Sequence, residues 1–368
     1  MKHITHVITS LSRGGAQSML VKLALHPTFK EGVQQHIISL NEDFDYPELF
    51  NQGIKITLIK AKNPIKILIE LRSALNQNST DIIQSWMYHA NFFVFLARFK
   101  KHKIFFNIRH SLHDIKMEKT TTRFIIFVGK FFSRFVNKVV YCSKVSLSQH
   151  INYGYPSYNS IFIPNGFEIE KFKYSISNRK IFRESLDFMK DDFVIASIAR
   201  YHPMKNHEGI IKGFSKFVKF APKSKLVLIG KGLDKENHTL RSLCNLLNVS
   251  DKVFMLGMRN DIPSILSGID VFISASNWGE AFPNVIGEAM AIGKICVTND
   301  VGDSKYILGK NGYVIEDSIE DTLIKVFKLT REEKAKIEKN LRERARKEFS
   351  IKKVAKLYLN LYEKSIDK

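Results

Sequence analysis

Short apolar runs alternate with helical patterns along the chain. The chain begins with HITHVITS, a turn at Gly14 and Gly15, and a helical stretch from Ala16 to about His26. Further apolar runs are HIISL, IKITLI, IIQSW, IFFNI and VVYCS in the first half, and FVIASIA, KLVLIG, KVFMLG, DVFISAS and KICVTN in the second. Alternating strands and helices predict an α/β fold with parallel sheets covered on both faces.

The two sets of runs predict two domains. Residues 164–192 between them carry PNG and many charges but no long apolar run, a composition typical of a linker. We therefore expect domains over residues 1–172 and 173–350 and a terminal helix over 351–368. The predicted helical region starts at Arg331, and its last part has an apolar stripe formed by Val354, Leu357, Tyr358 and Leu361.

The composition, 44% apolar and 25% charged, is that of an ordinary globular protein. Cys142, Cys244 and Cys296 lie far apart without CxxC spacing, which argues against a disulfide framework and a structural zinc site. The first residues lack the features of a secretory signal, and no apolar run approaches the length of a membrane span. We expect a cytoplasmic protein.

The net charge of +21 points to anionic partners. Residues 98–144 contain 12 lysines and arginines against two acids, Asp114 and Glu118, so nearly half of the excess lies in this segment. No zinc finger or aromatic RNA-binding strand accompanies the charge, so nucleic acid is not an expected partner.

The basic segment includes an amphipathic pattern between Thr121 and Lys138. Four phenylalanines share one helical face: Phe124, Phe127, Phe131 and Phe135. Three basic residues lie together elsewhere on the helix: Arg123, Lys130 and Arg134. Such a helix favours the interface of an anionic bilayer. The alternative is a core helix whose basic face is merely solvated.

In the second half, Glu280 and Glu288 lie eight residues apart in WGEAFPNVIGEAMAIG, after the strand DVFISAS. Pro283 and Asn284 open a helix between them, and a helix N-terminus at the carboxyl end of a parallel sheet is an anion site. Glu288 would then accept hydrogen bonds from a ribose and Glu280 from a sugar. Alternatively, both are ordinary surface glutamates near a helix start.

Two cations, Arg200 and Lys205, follow the strand FVIASIA in ARYHPMKNH. A planar guanidinium and an ammonium at a strand end suit a diphosphate. The alternative is two solvated cations in a chain that has 57 of them.

Three weaker signals lie in loops. Gly14 and Gly15 are half of a dinucleotide fingerprint, but the third glycine and the later acid are missing, so a dehydrogenase is not supported. Gly230 in LIGKG would let a ligand approach the backbone. His110 in NIRHSLHD follows a strand and could contact a ligand, although His113 is a rival.

Together these motifs resemble glycosyltransferase family 4, a retaining family of the GT-B fold, in which two Rossmann-like domains face each other across a cleft. The resemblance extends over SRGGAQ, NIRHSLHD, VVYCS, IPNGF, ARYHPMKNH, LIGKG and the E-x7-E motif in GEAFPNVIGEAMA. It is strongest to bacterial enzymes that extend polyprenyl-diphosphate-linked oligosaccharides for capsule or O-antigen. It also implies that the terminal helix packs back on the first domain.

The resemblance implies a nucleotide-sugar donor, with UDP favoured, in the second domain. Arg200, Lys205, Glu280 and His110 would act at the reaction centre. The donor-binding set would be Gly14, Gly15, Gly230, Phe282, Pro283, Asn284, Val285 and Glu288. The leaving phosphate would deprotonate the acceptor, so neither a metal nor a cofactor is expected. Where many members have Glu-Gly, this chain has Ala281 after the acid, which leaves the donor sugar open.

The acceptor would be a lipid-linked saccharide, held on the inner face of the cytoplasmic membrane with help from the basic aromatic helix. Two other functions stay open. A GT-B nucleotide-sugar epimerase would use the donor alone and would need carboxylates as acid and base. A non-catalytic scaffold would bind the donor without turning it over.

Overall fold

The structure, a computed structural model, describes residues 2–77, 80–98 and 102–366. The chain divides into two compact units. The first comprises Met1–Gly166 and Ile351–Lys368, and the second comprises Phe167–Ser350. The chain thus leaves the first unit after Gly166, whereas the expected boundary lay after residue 172.

The first unit contains, in its described residues, a seven-stranded parallel sheet of order β3-β2-β1-β4-β5-β6-β7. Its strands are β1 (Lys2–Ile8), β2 (Val33–Ser39), β3 (Lys55–Leu58), β4 (Ile82–Trp86), β5 (Lys103–Ile108), β6 (Lys138–Tyr141) and β7 (Ser160–Phe162). Its helices before the second unit are α1 (Gly15–Leu25), α2 (Pro27–Gly32), α3 (Glu48–Asn51), α4 (Pro64–Asn76), α5 (Tyr88–Ala97), α6 (Thr120–Phe132) and α7 (Lys144–Tyr153).

Apolar residues of this sheet alternate between its two faces. In β1, Ile4 and Ile8 belong to one buried cluster and Val7 to another. Each face therefore has its own core, and helices cover both faces, which is why the strands read as continuous apolar runs.

The second unit contains, within the part of the chain that is described, a six-stranded parallel sheet of order β10-β9-β8-β11-β12-β13. Its strands are β8 (Phe193–Ile198), β9 (Ser224–Ile229), β10 (Val253–Met255), β11 (Val271–Ser274), β12 (Ile295–Thr298) and β13 (Tyr313–Val314). Its helices are α8 (Ile176–Glu184), α9 (His207–Phe220), α10 (His238–Leu246), α11 (Ile262–Gly268), α12 (Asn284–Ile292), α13 (Ser304–Leu308), α14 (Ile319–Phe327) and α15 (Arg331–Phe349).

The last helix, α16 (Ile351–Ile366), belongs to the first unit. Tyr358, which belongs to the predicted apolar stripe, and Tyr362, which does not, are both fully buried. The Tyr358 hydroxyl accepts a hydrogen bond from Asn107 of β5 at 2.9 Å, and the Tyr362 hydroxyl donates to Gln84 of β4 at 2.5 Å. The prediction that the terminal helix packs back on the first domain is confirmed.

Three details differ from the sequence predictions. The expected linker contains α8, which packs on α11 through the buried Phe182; a Cβ at Gly268 would lie 2.1 Å from its ring. The region from Arg331 onward is not one helix, because the backbone is extended at Ser350 (φ −63°, ψ 140°). The edge strands β7 and β13 were missed because their apolar runs are too short to stand out from the surrounding loops.

Candidate functional site

Two loops of the second unit bring a lysine and a glutamate together. β8 and β11 are adjacent and parallel, so the loops that follow them begin at the same edge of the sheet. The first loop contains the short 3-10 helix Pro203–Lys205, and the second contains Glu280. Lys205 Nζ forms a salt bridge with Glu280 Oε1, with only 19% and 13% of the two side chains exposed. Residues far apart in sequence thus form one charged, largely buried site.

The Glu280 loop is fixed against the turn that carries Lys205. Ser276 Oγ donates to Glu280 Oε1 at 2.9 Å, and the Asn277 amide donates to the Met204 carbonyl at 2.8 Å. Gly279 has φ +77°, and a Cβ there would lie 2.3 Å from the Met204 sulfur. Glu280 Oε1 therefore receives two donors, while Oε2 accepts from none of the described residues and can take a ligand hydroxyl.

Arg200 lies just beyond β8. Its side chain is exposed, and it makes no hydrogen bond or salt bridge with any residue that the structure describes. Beside it, Gly230 has φ +147°, and a Cβ there would lie 2.0 Å from the Ala199 carbonyl oxygen. The guanidinium is therefore available to an anion, and Gly230 is required for the close packing of the two strand ends.

Helix α12 begins four residues after Glu280. Pro283 precedes it, so the amides of Asn284 and Val285 lie in its first turn, at the positive end of the helix dipole. Glu288 lies one turn further along, half-buried. Phe282, by contrast, is buried and stacks on Phe167 with ring centroids 6.2 Å apart.

The predicted donor-binding residue Phe282 thus belongs, through its ring, to an aromatic cluster inside the unit. Phe349 packs edge-on against the same ring at 5.6 Å. Any contact of Phe282 with a donor would therefore be made by its backbone.

A pocket of about 410 Å³ opens next to this site. Its lining consists of Tyr201, Gly232, Asp234, Glu236, Asn237, His238 and Thr239. Asn237 caps α10 by accepting from the Leu240 amide, and its Nδ2 donates to the Gly232 carbonyl at 2.7 Å. The only sequence signal for this pocket was the glycine pair of LIGKG. Glycines are common after strands, so this pair did not identify the polar residues that line the pocket.

His207, two residues after Lys205, is buried beside the site. Burial, and secondarily the charge of Lys205, lowers its pKa to about 4. Neither ring nitrogen has a hydrogen-bond partner in the described chain. The ring lies 6.0 Å from that of Tyr201, so it forms a neutral support under the pocket wall at neutral pH.

In the first unit, His110 follows β5 and interacts with a residue that the sequence did not single out for chemistry. His110 Nε2 lies 2.7 Å from Glu118 Oε1. The His110 carbonyl accepts from Ser146 Oγ at 2.6 Å. The rival His113 is exposed. No spacing rule links His110 to Glu118, because the loop between them has no regular period.

Gly14 and Gly15 lie at the start of α1, with Gly14 as the N-cap residue. Gly14 is extended (φ −173°), so its backbone does not require glycine. The loop before it is tied down by the Arg13 amide, which donates to Asp45 Oδ2 at 3.0 Å. The Gln17 side chain lies over this helix start, because a Cβ at Gly14 would be 2.5 Å from Gln17 Oε1.

The four predicted phenylalanines are exposed, three of them on α6 and Phe135 in the 3-10 helix Ser133–Phe135 that follows it, so the α-helix ends earlier than the predicted pattern. The exposed fractions are 60% for Phe124, 46% for Phe127, 43% for Phe131 and 71% for Phe135. Ile126, on the opposite side, is buried. The alternative of a core helix with only its basic face in solvent is therefore wrong for these four rings.

The basic residues flank the aromatic face instead of lying apart from it. Lys130 Nζ lies 4.9 Å and 5.3 Å from the ring centres of Phe127 and Phe131, and the Arg134 guanidinium lies 5.7 Å from that of Phe131. Arg123 is exposed on the first turns. Cations and rings thus form one mixed surface, which we call the α6 face.

Among the described residues, no group of three or more histidine, cysteine or acidic side chains is placed to hold a metal ion. No helix in these ranges is long and apolar enough to cross a bilayer.

Comparison with known proteins places the second unit in a family. Residues 178–348 match the family described as Glycosyl transferases group 1. A relative from Escherichia coli, UDP-Gal:alpha-D-GlcNAc-diphosphoundecaprenol alpha-1,3-galactosyltransferase, is 27% identical over 289 residues, covering 74% of this chain and 72% of that protein. A Campylobacter jejuni relative, N,N'-diacetylbacillosaminyl-diphospho-undecaprenol alpha-1,3-N-acetylgalactosaminyltransferase, is 26% identical over 307 residues, 79% of each chain.

A solved structure shares the fold of the chain. Anabaena HepE in complex with UDP-glucose has a TM-score of 0.86 at 20% identity, covering 99% of this chain and 100% of that one. The predicted GT-B class, with its two Rossmann-like α/β domains, is confirmed by the two parallel sheets and by this likeness.

Proposed function

We propose that this chain, whose second unit contains a glycosyl transferases group 1 domain, is a retaining glycosyltransferase. It moves a hexose-type sugar from a nucleotide sugar, with UDP as the favoured nucleotide, to a polyprenyl-diphosphate-linked saccharide. The reaction uses no metal. The chain acts at the cytoplasmic face of the membrane in the assembly of a surface polysaccharide.

The observation that carries this proposal is the site formed by Lys205, Glu280 and Ser276 beside the start of α12. Two cations, Arg200 and Lys205, and the first amides of α12 suit a diphosphate. Glu280, with one oxygen held and the other available, suits the hydroxyls of a sugar. The adjoining pocket of about 410 Å³ has the size and the polar lining for the nucleoside.

In the proposed reaction, the bond between the sugar C1 and the diphosphate oxygen breaks as the acceptor oxygen bonds to C1 from the same face. The acceptor proton passes to the leaving phosphate. Negative charge grows on the diphosphate, and Arg200, Lys205 and the α12 amides stabilise it more strongly than the ground state. Glu288 would bind the ribose, and His110, Gly14 and Gly15 are further proposed contacts of the donor.

The acceptor class rests on the relatives and on the α6 face. The names of the two relatives describe transfer to diphosphoundecaprenol-linked sugars, and one names UDP-Gal as the donor. The α6 face offers exposed rings and cations together, a combination that suits an anionic lipid surface. An epimerase would have no use for such a face.

The test is turnover of the purified chain with UDP- and GDP-sugars, with and without an undecaprenyl-diphosphate-linked acceptor, followed by nucleoside diphosphate release and product mass. We expect release that requires the acceptor. Lys205→Met should lower kcat about 100-fold or more, because it removes a positive charge that stabilises the leaving diphosphate. Lys223→Met, which breaks an exposed salt bridge with Asp191, is the matched control and should retain full activity.

Sugar conversion without an acceptor would favour the epimerase. Donor binding without any turnover across the acceptors would favour the scaffold.

A further inference from the structure

His110 is held from three directions within the first unit. Glu118 contacts the ring through Nε2, and Ser146 of α7 donates to the backbone carbonyl. Tyr88 of α5 packs edge-on against the ring, with centroids 6.4 Å apart. Tyr88 is itself fixed, because its hydroxyl lies 2.7 Å from Nε2 of the buried His150. The side chain is 40% exposed and contacts both Glu118 and Tyr88.

The contact with Glu118 determines which ring nitrogen carries the proton. A carboxylate can only accept, so His110 Nε2 must be the protonated nitrogen. In the neutral ring, Nδ1 then has a lone pair, and it makes no hydrogen bond with any residue in the described ranges. The exposed ring therefore presents an acceptor, and not a donor, to a ligand.

The loop between the two residues is built to hold this contact. The Leu112 amide donates to Gln149 Oε1 of α7 at 2.7 Å. Asp114 then caps the short 3-10 helix Ile115–Met117 by accepting from the Lys116 amide at 2.8 Å. The chain folds back in this way, so that Glu118 reaches the ring eight residues after His110.

We propose that Glu118 is a positioning residue, which holds His110 in the tautomer whose Nδ1 accepts a hydroxyl of a substrate sugar. This inference rests on the proposed glycosyl transfer. The pair is too exposed to contribute much to stability, so its loss should be felt at His110 and not in unfolding.

The kinetic test is a double-mutant cycle with Glu118→Ala, His110→Ala and the double variant. Glu118→Ala should lower kcat about 10-fold or more with little change in the donor KM, because the ring is misoriented but the diphosphate contacts remain. Glu118→Gln keeps an acceptor oxygen and should retain activity within about threefold of wild type. In the His110→Ala background, Glu118→Ala should cost nothing further. An equal loss in both backgrounds would overturn the proposal.

A spectroscopic test needs no substrate. In the ¹⁵N spectrum of histidine-labelled protein at pH 8, wild-type His110 should show a protonated Nε2 and an unprotonated Nδ1, and Glu118→Ala should show a mixture of tautomers. Asp114→Ala, which removes a cap from the same loop without touching the ring, is the matched control and should keep the wild-type pattern.

An unchanged His110 pattern in Glu118→Ala would refute the positioning role even in an active enzyme. Absence of transfer by the wild type would instead refute the proposed function, and the spectrum would still decide whether Glu118 sets the ring.

Discussion

Gly230 is required by the fold before any ligand is considered. Its backbone has φ +147°, and its amide donates to the Gly257 carbonyl at 2.8 Å. A side chain there would collide with the backbone just before Arg200. Its place in the donor-binding prediction is therefore indirect: it lets two strand ends approach each other, and it thereby positions Arg200.

Gly230→Ala should lower the free energy of unfolding by about 3 kcal/mol, since it combines an unfavourable φ with a backbone clash. Gly53→Ala is the matched control. Gly53 also has a positive φ (+72°), but nothing lies within 4 Å of its Cβ position, so we expect a cost of about 1 kcal/mol. Urea unfolding of both variants measures the difference, and equal costs would mean that the clash is relieved by a small backbone shift.

Individual residues were predictable where the chemistry is local in sequence. Arg200, Lys205 and Glu280 each follow a strand, and parallel strands end at one edge, so their proximity in the second unit follows from the fold. Glu118 and the polar residues that line the pocket were missed, because their positions depend on irregular loops. The buried ring of Phe282 was also missed, since a phenylalanine before a helix looks the same whether it faces ligand or core.

At the scale of elements, α6 shows what a helical period can and cannot determine. The period places four rings on one face; in the structure all four are exposed, but the α-helix ends at Phe132 and Phe135 lies in the 3-10 helix that follows. It does not determine which side of the helix packs on the protein. Ile126 lies on the buried side, and the four exposed phenylalanines do not. Neighbouring helices in the same layer extend the apolar surface, since Ile65 and Ile69 of α4 and Leu96 of α5 are exposed as well.

Phe131→Ser should weaken binding to phosphatidylglycerol vesicles about tenfold, because half a phenylalanine ring no longer enters the interface. Phe220→Ser on α9 is the matched control. Phe220 is 47% exposed, close to the 43% of Phe131, and also has a lysine, Lys328, 5.3 Å from its ring. Vesicle co-sedimentation measures both variants. Equal weakening by both would show that exposed aromatic area anywhere is sufficient and that α6 is not the docking face.

At the scale of the whole molecule, buried histidines in both units are kept neutral. Burial is the main cause of a pKa lowered to about 3 for His6 and to about 4 for His36, His150 and His207. The unfolded chain takes up these protons below about pH 6.5, whereas the native chain does not until about pH 4. These histidines therefore do not reduce the free energy of unfolding above pH 6.5, and they reduce it progressively as the pH falls toward 4.

His207→Leu isolates one of these groups. Its ring nitrogens have no partner in the described chain, so leucine sacrifices no hydrogen bond and fills a similar volume. Between pH 6.5 and 4 the free energy of unfolding of the variant should fall less steeply than that of wild type. The difference in slope corresponds to about one proton, or about 1.4 kcal/mol per pH unit. Urea midpoints at pH 7, 6 and 5 measure this slope, with the exposed His113→Leu as control. An unchanged slope would mean that His207 is protonated within the folded chain. The pocket wall beside Lys205 would then carry a positive charge, which would repel the lysine and attract the diphosphate.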